Sequence, residues 1–309
     1  MKNKHLHPKL QKTITAVTLF SGVGGGTFGL LYNHIKEILA VDNWKVAQKA
    51  FEANFPDIPF WMADLSRISA QDIMERAEIK AGELSILLSS PPCQGFSRAS
   101  GKVNSLDTRN ALFGDTIDFI SGMQPKCFII ENVPGMTDDR LVAIFNEIKH
   151  KIHEKLMPNY EVRCFELLAL NYNTPQKRRR LIYVGYRKEF GVIPTPPKPD
   201  YEAINGLRIA DVAPEITAIK VGQSKKTFKH NTKHMTTITA SDALQVYSNG
   251  VEQSLSVEQD KRFATFPESY KIPSGISKGD AHRLFGNTIP PMFMKSIVEH
   301  ILEEIGDKL

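Results

Sequence analysis

The sequence predicts an α/β fold: a doubly wound, mostly parallel sheet with a smaller second domain. Three observations predict it. Strand and helix signals alternate from Thr13 to about Tyr186, the rhythm of βαβ units. The first strand runs into a glycine turn, Phe20-Ser21-Gly22-Val23-Gly24-Gly25-Gly26, that opens a helix. A later apolar strand stops at Pro91-Pro92, because proline lacks a backbone donor and has its φ fixed. A length of 309 residues suits about two domains at ~150 residues each.

Each element follows from its residues. Thr13 to Phe20 is β-branched and ends at Ser-Gly, so it reads as a strand. Helical spacing follows from about Gly25 to His34, then a short strand from Ile38 to Val41 and a helix from Trp44 to Phe55. Phe60 to Met62 is a weak third strand, and Ser69 to Ile79 has helical spacing. Ser85 to Ser89 is the apolar strand before the prolines. Asn110 to Gly122 reads as helix, Cys127 to Glu131 as a buried strand and Leu141 to Leu156 as an amphipathic helix. Glu161 to Ala169 and Leu181 to Tyr186 are further strands. The run from Ile193 to Pro199 carries four prolines and reads as a boundary. The alternation is then lost until about Ser274, and Pro290 to Ile305 is a helix opened by Pro-Pro. The expected division is 1–188, 189–274 and 275–309, the last returning to the first domain.

Composition narrows the function classes. Hydrophobic content of 41% and charged content of 24% are ordinary for a globular protein. No apolar span is long enough to cross a bilayer, and Met1 to His5 leads into no signal region, so a cytoplasmic, nucleoid-associated protein is expected. The three cysteines, Cys93, Cys127 and Cys164, are widely spaced, which argues against a disulfide framework or a metal site. A net charge of +5 permits a nucleic-acid partner.

Four motifs carry chemistry. Cys93 directly follows Pro91-Pro92 and so lies on a loop at a strand's carboxyl end, where open α/β sheets bind ligands. A thiol there suits nucleophilic work, although a half-buried turn cysteine fits the same three residues. The glycine turn fits close approach of a ligand to the backbone. It is neither G-x-G-x-x-G, since Thr27 takes the sixth place, nor a P-loop. Asp42 ends the second strand, where an acid would bind ribose hydroxyls, and Asp64 follows the third. A nucleoside cofactor without a phosphate cradle fits S-adenosylmethionine better than NAD. Glu131, in Glu131-Asn132-Val133, ends a strand of the same sheet as the one before Cys93. A thiol and a carboxyl facing one cleft suit attack on a heteroaromatic ring with a proton delivered to its nitrogen. In Gln176-Lys177-Arg178-Arg179-Arg180 alternate residues would share a side of a strand, aiming Gln176, Arg178 and Arg180 together.

Taken together these residues resemble the cytosine-C5 DNA methyltransferase family. Phe20 to Gly25, Asp42, Asp64, Pro91-Pro92-Cys93-Gln94, Glu131-Asn132-Val133, Gln176-x-Arg178-x-Arg180, Phe266-Pro267 and Gly286-Asn287-Thr288-Ile289-Pro290 occur in the family's order across nearly the whole chain. The resemblance implies a Rossmann-like methyltransferase that transfers methyl from S-adenosylmethionine to C5 of a flipped cytosine. It implies Cys93 as nucleophile at C6, Glu131 at N3, and Arg180 with Arg178 as contact to O2 and frame of the site. It implies cofactor contacts from Phe20, Ser21, Gly22, Gly24, Gly25, Asp42, Asn43, Asp64, Leu65, Pro91, Asn287 and Thr288, with Gly286 in the same last motif. Ser97 and Arg98, on a Ser-, Gly- and Lys-rich segment from Phe96 to Arg109, would close over DNA.

The chain departs from the family at Glu258-Gln259, where Arg-Glu is usual, at Ser90 and at Asn43. Residues 189–274 hold the variable recognition position. There Lys220, Lys225, Lys226, Lys229 and Lys233 cluster with no acid between Ile216 and Ser241, which fits phosphate contacts. The partner expected is double-stranded DNA, the organism a prokaryote or phage and the enzyme a monomer. A cognate restriction endonuclease acting separately goes with that setting. Two rivals stay open: methylation of tRNA by the same chemistry, and a non-catalytic DNA-binding relative. An NAD oxidoreductase fails on the glycine spacing.

Overall fold

The computed structural model describes residues 13–92, 111–137, 142–221, 227–240 and 244–309. A seven-stranded sheet organises most of them. In chain order its first half is β1 (Thr15–Leu19), α1 (Gly25–Leu31), β2 (Lys36–Asp42), α2 (Lys45–Glu52), β3 (Phe60–Met62), α3 (Ala70–Arg76) and β4 (Ile86–Ser89). The second half is α4 (Ala111–Met123), β5 (Cys127–Asn132), α5 (Val142–Lys155), β6 (Tyr160–Leu168), β7 (Gln176–Lys177) and β8 (Arg179–Arg187), with β7 outside this sheet. The spatial order is β3-β2-β1-β4-β5-β8-β6. The first five strands are parallel, while β8 lies antiparallel to both β5 and β6. The predicted doubly wound sheet is therefore present, and every strand expected in this half forms within a few residues of its predicted bounds.

The remaining chain forms α6 (Ile209–Val212), β9 (Ile216–Val221), β10 (Thr227–His230), β11 (Met235–Thr236), β12 (Gln245–Ser248), β13 (Val251–Ser254), α7 (Val257–Phe263), α8 (Lys278–Asn287) and α9 (Pro291–Ile305). Strands β10-β9-β12-β13 make a small antiparallel sheet, and β11 pairs with β7.

Burial sorts these elements into layers. One face of the large sheet packs Val17, Leu87, Phe128 and Ile130 against Phe113, Ile117 and Ile120 of α4 and Ile148 and Ile152 of α5. The other packs Ala16, Ile86, Ile129 and Ile182 against Phe293, Ile297 and Ile301 of α9. This second face explains why the last helix returns to the first domain. A third cluster joins Phe51 and Phe55 to Phe266, Tyr270 and Phe285. A separate small core gathers Ile209, Ile216, Ile219, Met235, Val246, Leu255 and Phe263. Residues from Ala264 onward thus pack with the large layer, ahead of the expected boundary at 275. Residues near Phe190 and Val192 pack with the large layer too.

The chain winds one way from β1 through β2 to β3 and restarts on the other side at β4. The carboxyl ends of β1 and β4 therefore flank the switch point, where such sheets open a ligand crevice. Ser90 N–H donates to Leu19 O at that point, 3.3 Å away. No described helix is long and apolar enough to cross a membrane.

Candidate active site

The turn after β1 is shaped by its conformations. Phe20, Gly22 and Gly24 have φ of 55°, 55° and 85°, the left-handed region that glycine enters without steric cost. Gly22 has open space where a side chain would be, so its backbone is free to meet a ligand. Ser21 is pinned to the end of β2, its N–H and hydroxyl both donating to Val41 O. Gly25 is a glycine for another reason. A Cβ there would stand 2.0 Å from Ile289 O and 2.2 Å from Thr288 Oγ1. The last motif therefore closes directly on the first helix, and Thr288 reaches the glycine turn.

Asp42 locks this turn. Its carboxylate accepts from Gly22 N–H at 2.8 Å and Trp44 N–H at 2.9 Å. Burial raises its pKa, and the Gly22, Trp44 and Asn43 amides oppose that rise. Asn43 itself is exposed, and Arg283 lies over the Trp44 ring at 5.0 Å. Asp64 is half-buried and binds its own loop: it accepts from Ser66 N–H and Oγ and pairs with Arg67 at 3.5 Å. These Ser66 hydrogen bonds hold its carboxyl below the usual range. Leu65 is buried against β1 and β2. The open backbone at Gly22 beside the Asp42 carboxylate fits a nucleoside cofactor with no phosphate.

The reactive side is built from β4, β5 and β8. Pro91 is buried, and its carbonyl accepts from Asn132 Nδ2 at 3.4 Å. Asn132, 1% exposed, thus ties the loop entering Cys93 to the end of β5. Cys93, Gln94, Ser97 and Arg98 lie outside the described residues. Next to Asn132, Glu131 faces Arg180 across the β5–β8 pair. Nε of Arg180 is 2.6 Å from Glu131 Oε1, with each side chain 11% exposed. The approach is an ion pair without the linear geometry of a hydrogen bond.

The run from Gln176 to Arg180 does not act as one strand. Arg178 N–H turns back to Gln176 O at 2.9 Å, and Arg178 O accepts from Ala169 N–H. The chain kinks there, so the alternation that would aim all three side chains together is broken. Arg180 meets Glu131, while Gln176 and Arg178 point to a joint. Gln176 Nε2 donates to Phe263 O at 3.0 Å, and its Oε1 accepts from Ile238 N–H at 3.3 Å. Arg178 donates to Ile238 O at 3.1 Å and to Gly286 O at 3.2 Å. Through these contacts Arg178 frames the joint beneath the site. A Cβ on Gly286 would lie 2.4 Å from Ala240 N and Thr239 C, so this glycine admits the chain at Thr239 and Ala240. Asn287 beside it is exposed.

This order of motifs on this sheet decides the family. The model of the C-5 cytosine-specific DNA methylases matches residues 14–242 and 213–303. The chain belongs to that family. Its members transfer methyl from S-adenosylmethionine to C5 of cytosine in DNA, and that is the reaction of this enzyme. Relatives include the type II methyltransferase M.HpaII of Haemophilus parainfluenzae, 27% identical over 97% of this chain and 92% of that protein. M.HaeII of Haemophilus aegyptius is 27% identical over 96% and 95%. Among solved structures, a DNA modification methyltransferase encoded within an E. coli prophage covers 95% of this chain and 100% of its own. It superposes with a TM-score of 0.74 at 18% identity. Dnmt2 from Spodoptera frugiperda follows at 0.68 and 17%, covering 94% of this chain and 100% of its own.

The lysine cluster of this methyltransferase is less uniform than its sequence. Lys220 pairs with Glu252, which also accepts from Tyr247. The absence of acids along the segment hid this pair, because Glu252 arrives from β13. Lys233 is exposed in a turn. Lys229 lies on β10, and Lys225 and Lys226 fall outside the described residues. Among the described residues no group of acids, histidines and cysteines gathers as a metal site.

Proposed function

We propose that this methyltransferase works through a covalent adduct between Cys93 Sγ and C6 of an extruded cytosine in a specific duplex sequence. The observation that carries the reading is the Glu131–Arg180 pair beside the Asn132–Pro91 tie, on the crevice that also holds the glycine turn. The other two cysteines support it. Cys127 is buried on β5, and burial pushes its thiol far up. Cys164 lies exposed on β6, at the sheet edge away from the crevice between β1 and β4.

The steps follow from the residues. The Cys93 thiolate adds to C6 while Glu131, fixed by Arg180, supports N3. The C5 carbon then carries electron density. S-adenosylmethionine, when bound, supplies an electrophilic methyl group on a sulfonium sulfur. Loss of the C5 proton and of the Cys93 sulfur from C6 restores the aromatic ring. Gly22, Asp42, Leu65 and Thr288 would hold the cofactor, with Asp42 accepting from a ribose hydroxyl through its free lone pairs. Asp64 would meet the adenine only after giving up its contacts to Ser66. The target must leave the duplex, since the ring faces are otherwise stacked.

Residues 209–263, with their own core, serve as the recognition unit in this reading. Lys225, Lys226, Lys229 and Lys233 supply phosphate contacts there, and Ser97 and Arg98 act from the loop after Cys93. The type II names of the relatives support a restriction-modification role; a separate endonuclease, a cytoplasmic place and a monomeric state belong to the same proposal. Bisulfite sequencing of plasmid DNA from expressing cells tests the reading. One protected cytosine within one recurring sequence is expected; unprotected plasmid with methylated tRNA would overturn the substrate.

A further inference from the structure

The Asp260–His282 pair sits at the joint between recognition unit and catalytic layer, one turn ahead of both of its bracing carbonyls. Asp260 is on α7, three residues before Phe263, whose carbonyl accepts from Gln176. His282 is on α8, four residues before Gly286, whose carbonyl accepts from Arg178. Nδ1 of His282 meets Oδ2 of Asp260 in a short contact. Asp260 is 1% exposed, and the His282 side chain is 12% exposed. Nε2 of His282 is buried without a hydrogen-bond partner among the described residues. Neither residue touches the cofactor turn or the Glu131–Arg180 pair, so the reaction as derived leaves them unused.

We propose that Asp260 and His282 are positioning residues for methyl transfer, holding α7 and α8 in register so that DNA engagement depends on the proton they share. The same helix α7 carries the network that replaces the family's usual Arg-Glu. Gln259 donates to Glu215 at 2.9 Å, and Arg262 donates to Glu215 at 2.6 Å. Glu215 directly precedes β9. Movement of α7 against α8 would thus shift the small sheet against Gly286, where Thr239 and Ala240 leave no slack.

The charges around the pair fix the direction of the pH effect. On α7, Lys261 turns away to the carbonyls of Glu268 and Tyr270 and to Glu258, and Arg262 is engaged by Glu215. On α8, Arg283 turns to Asp280 and Trp44. Lys278 is the charge that bears on both members. Burial pushes the Asp260 carboxyl up to about 8 and lowers His282. With one proton between them the pair is neutral. An unfolded histidine releases its proton near 6.5, so the folded pair keeps a proton that the unfolded chain lacks. The joint is favoured below that value and loses its advantage as pH rises through about 8.

The test is the pH dependence of steady-state methyl transfer by the full enzyme on duplex DNA, from about pH 6 to about pH 9. The wild type should show KM for DNA rising at least about fivefold on the alkaline side, the lower end of coupling between linked sites, with kcat less affected. Asp260→Asn keeps an acceptor for the imidazole but cannot ionise, so its KM should stay flat. The doubly apolar Asp260→Leu/His282→Leu, which packs without any titrating group, should raise KM at every pH while its Tm is held. An identical pH profile in wild type and Asp260→Asn would overturn the proposal. So would a wild-type KM in the double variant. The inference rests on residues 209–263 being the DNA-recognition unit. Lys225→Ala/Lys226→Ala serves as control: if it leaves KM unchanged, that reading fails, whereas an altered KM with unmoved pH profiles sinks only the pair.

Discussion

At the scale of single residues, the proposed mechanism rests on the Glu131–Arg180 pair. They stand on antiparallel neighbours, β5 and β8, so backbone pairing fixes their meeting at 2.6 Å. Glu131→Gln keeps the shape and loses the acid. Turnover should fall ~10²–10⁴-fold, the usual effect of a lost general acid, with DNA affinity retained in a gel-shift assay; wild-type turnover would contradict the role. Another buried acid sets stability. Glu37 on β2 is 3% exposed, beside the Thr18 and Thr27 hydroxyls, and neither of its oxygens has hydrogen-bond geometry to a partner. Burial raises its carboxyl from 4.5 to about 7. Between those values the folded chain holds a proton that the unfolded chain has released, so stability falls as pH rises through the window and levels off above it. Glu37→Gln should flatten that decline and add up to about 3 kcal/mol at neutral pH, at about 1.4 kcal/mol per pKa unit. Thermal melts across the window would show it, and an unchanged pH slope would refute it.

At the scale of elements, the alternation that marks β1 to β5 was readable because each strand is a short apolar run bounded by Gly, Pro or a polar turn. What local pattern could not show is how distant elements close on one another. Gly25 reads as a ligand-facing glycine in a turn, yet it abuts Ile289 within the last motif, more than two hundred and sixty residues away. Gly25→Ala must displace that backbone, a strain of about 1–3 kcal/mol. Denaturant unfolding should register the loss. A variant as stable as wild type would mean the close approach is not needed. The kink at Arg178 was hidden for a related reason. Its cause is hydrogen bonding to Gln176 and Ala169, whereas an unbroken run of basic residues suggests a continuous strand. Helices α7 and α8 were missed because each is short and carries few apolar residues, although the serine caps Ser256 and Ser277 signalled their starts.

At the scale of the molecule, the chain forms two packed faces of one sheet and a small separate core, and the proposed reading gives chemistry to the first and recognition to the second. The motifs from Phe20 to Glu131 were legible in order, because each sits at or just after the carboxyl end of a parallel strand, whereas Arg180 lies at the start of β8 and Gly286 at the end of α8. Charge was legible only as composition. Five lysines without an intervening acid suggested a uniform basic surface, but tertiary pairing with Glu252 removes Lys220. The salt dependence of DNA binding separates the two classes. Replacing Lys225 and Lys226 should lower the slope of log K against log salt by about one unit per lost phosphate contact. Lys220→Ala should leave it unchanged, and equal effects from both would contradict the pairing.

The central claim is a bond between Cys93 and the target base. Duplex DNA carrying 5-fluorocytosine at the methylated position tests it directly, because after methyl transfer C5 holds fluorine and has no proton to lose. The sulfur then cannot leave C6. Incubation with S-adenosylmethionine should trap enzyme and DNA as one species resistant to denaturation, absent in Cys93→Ala. Mass spectrometry of the digested adduct should place the linkage on Cys93; a linkage at Cys127 or Cys164, or trapping by Cys93→Ala, would contradict the mechanism.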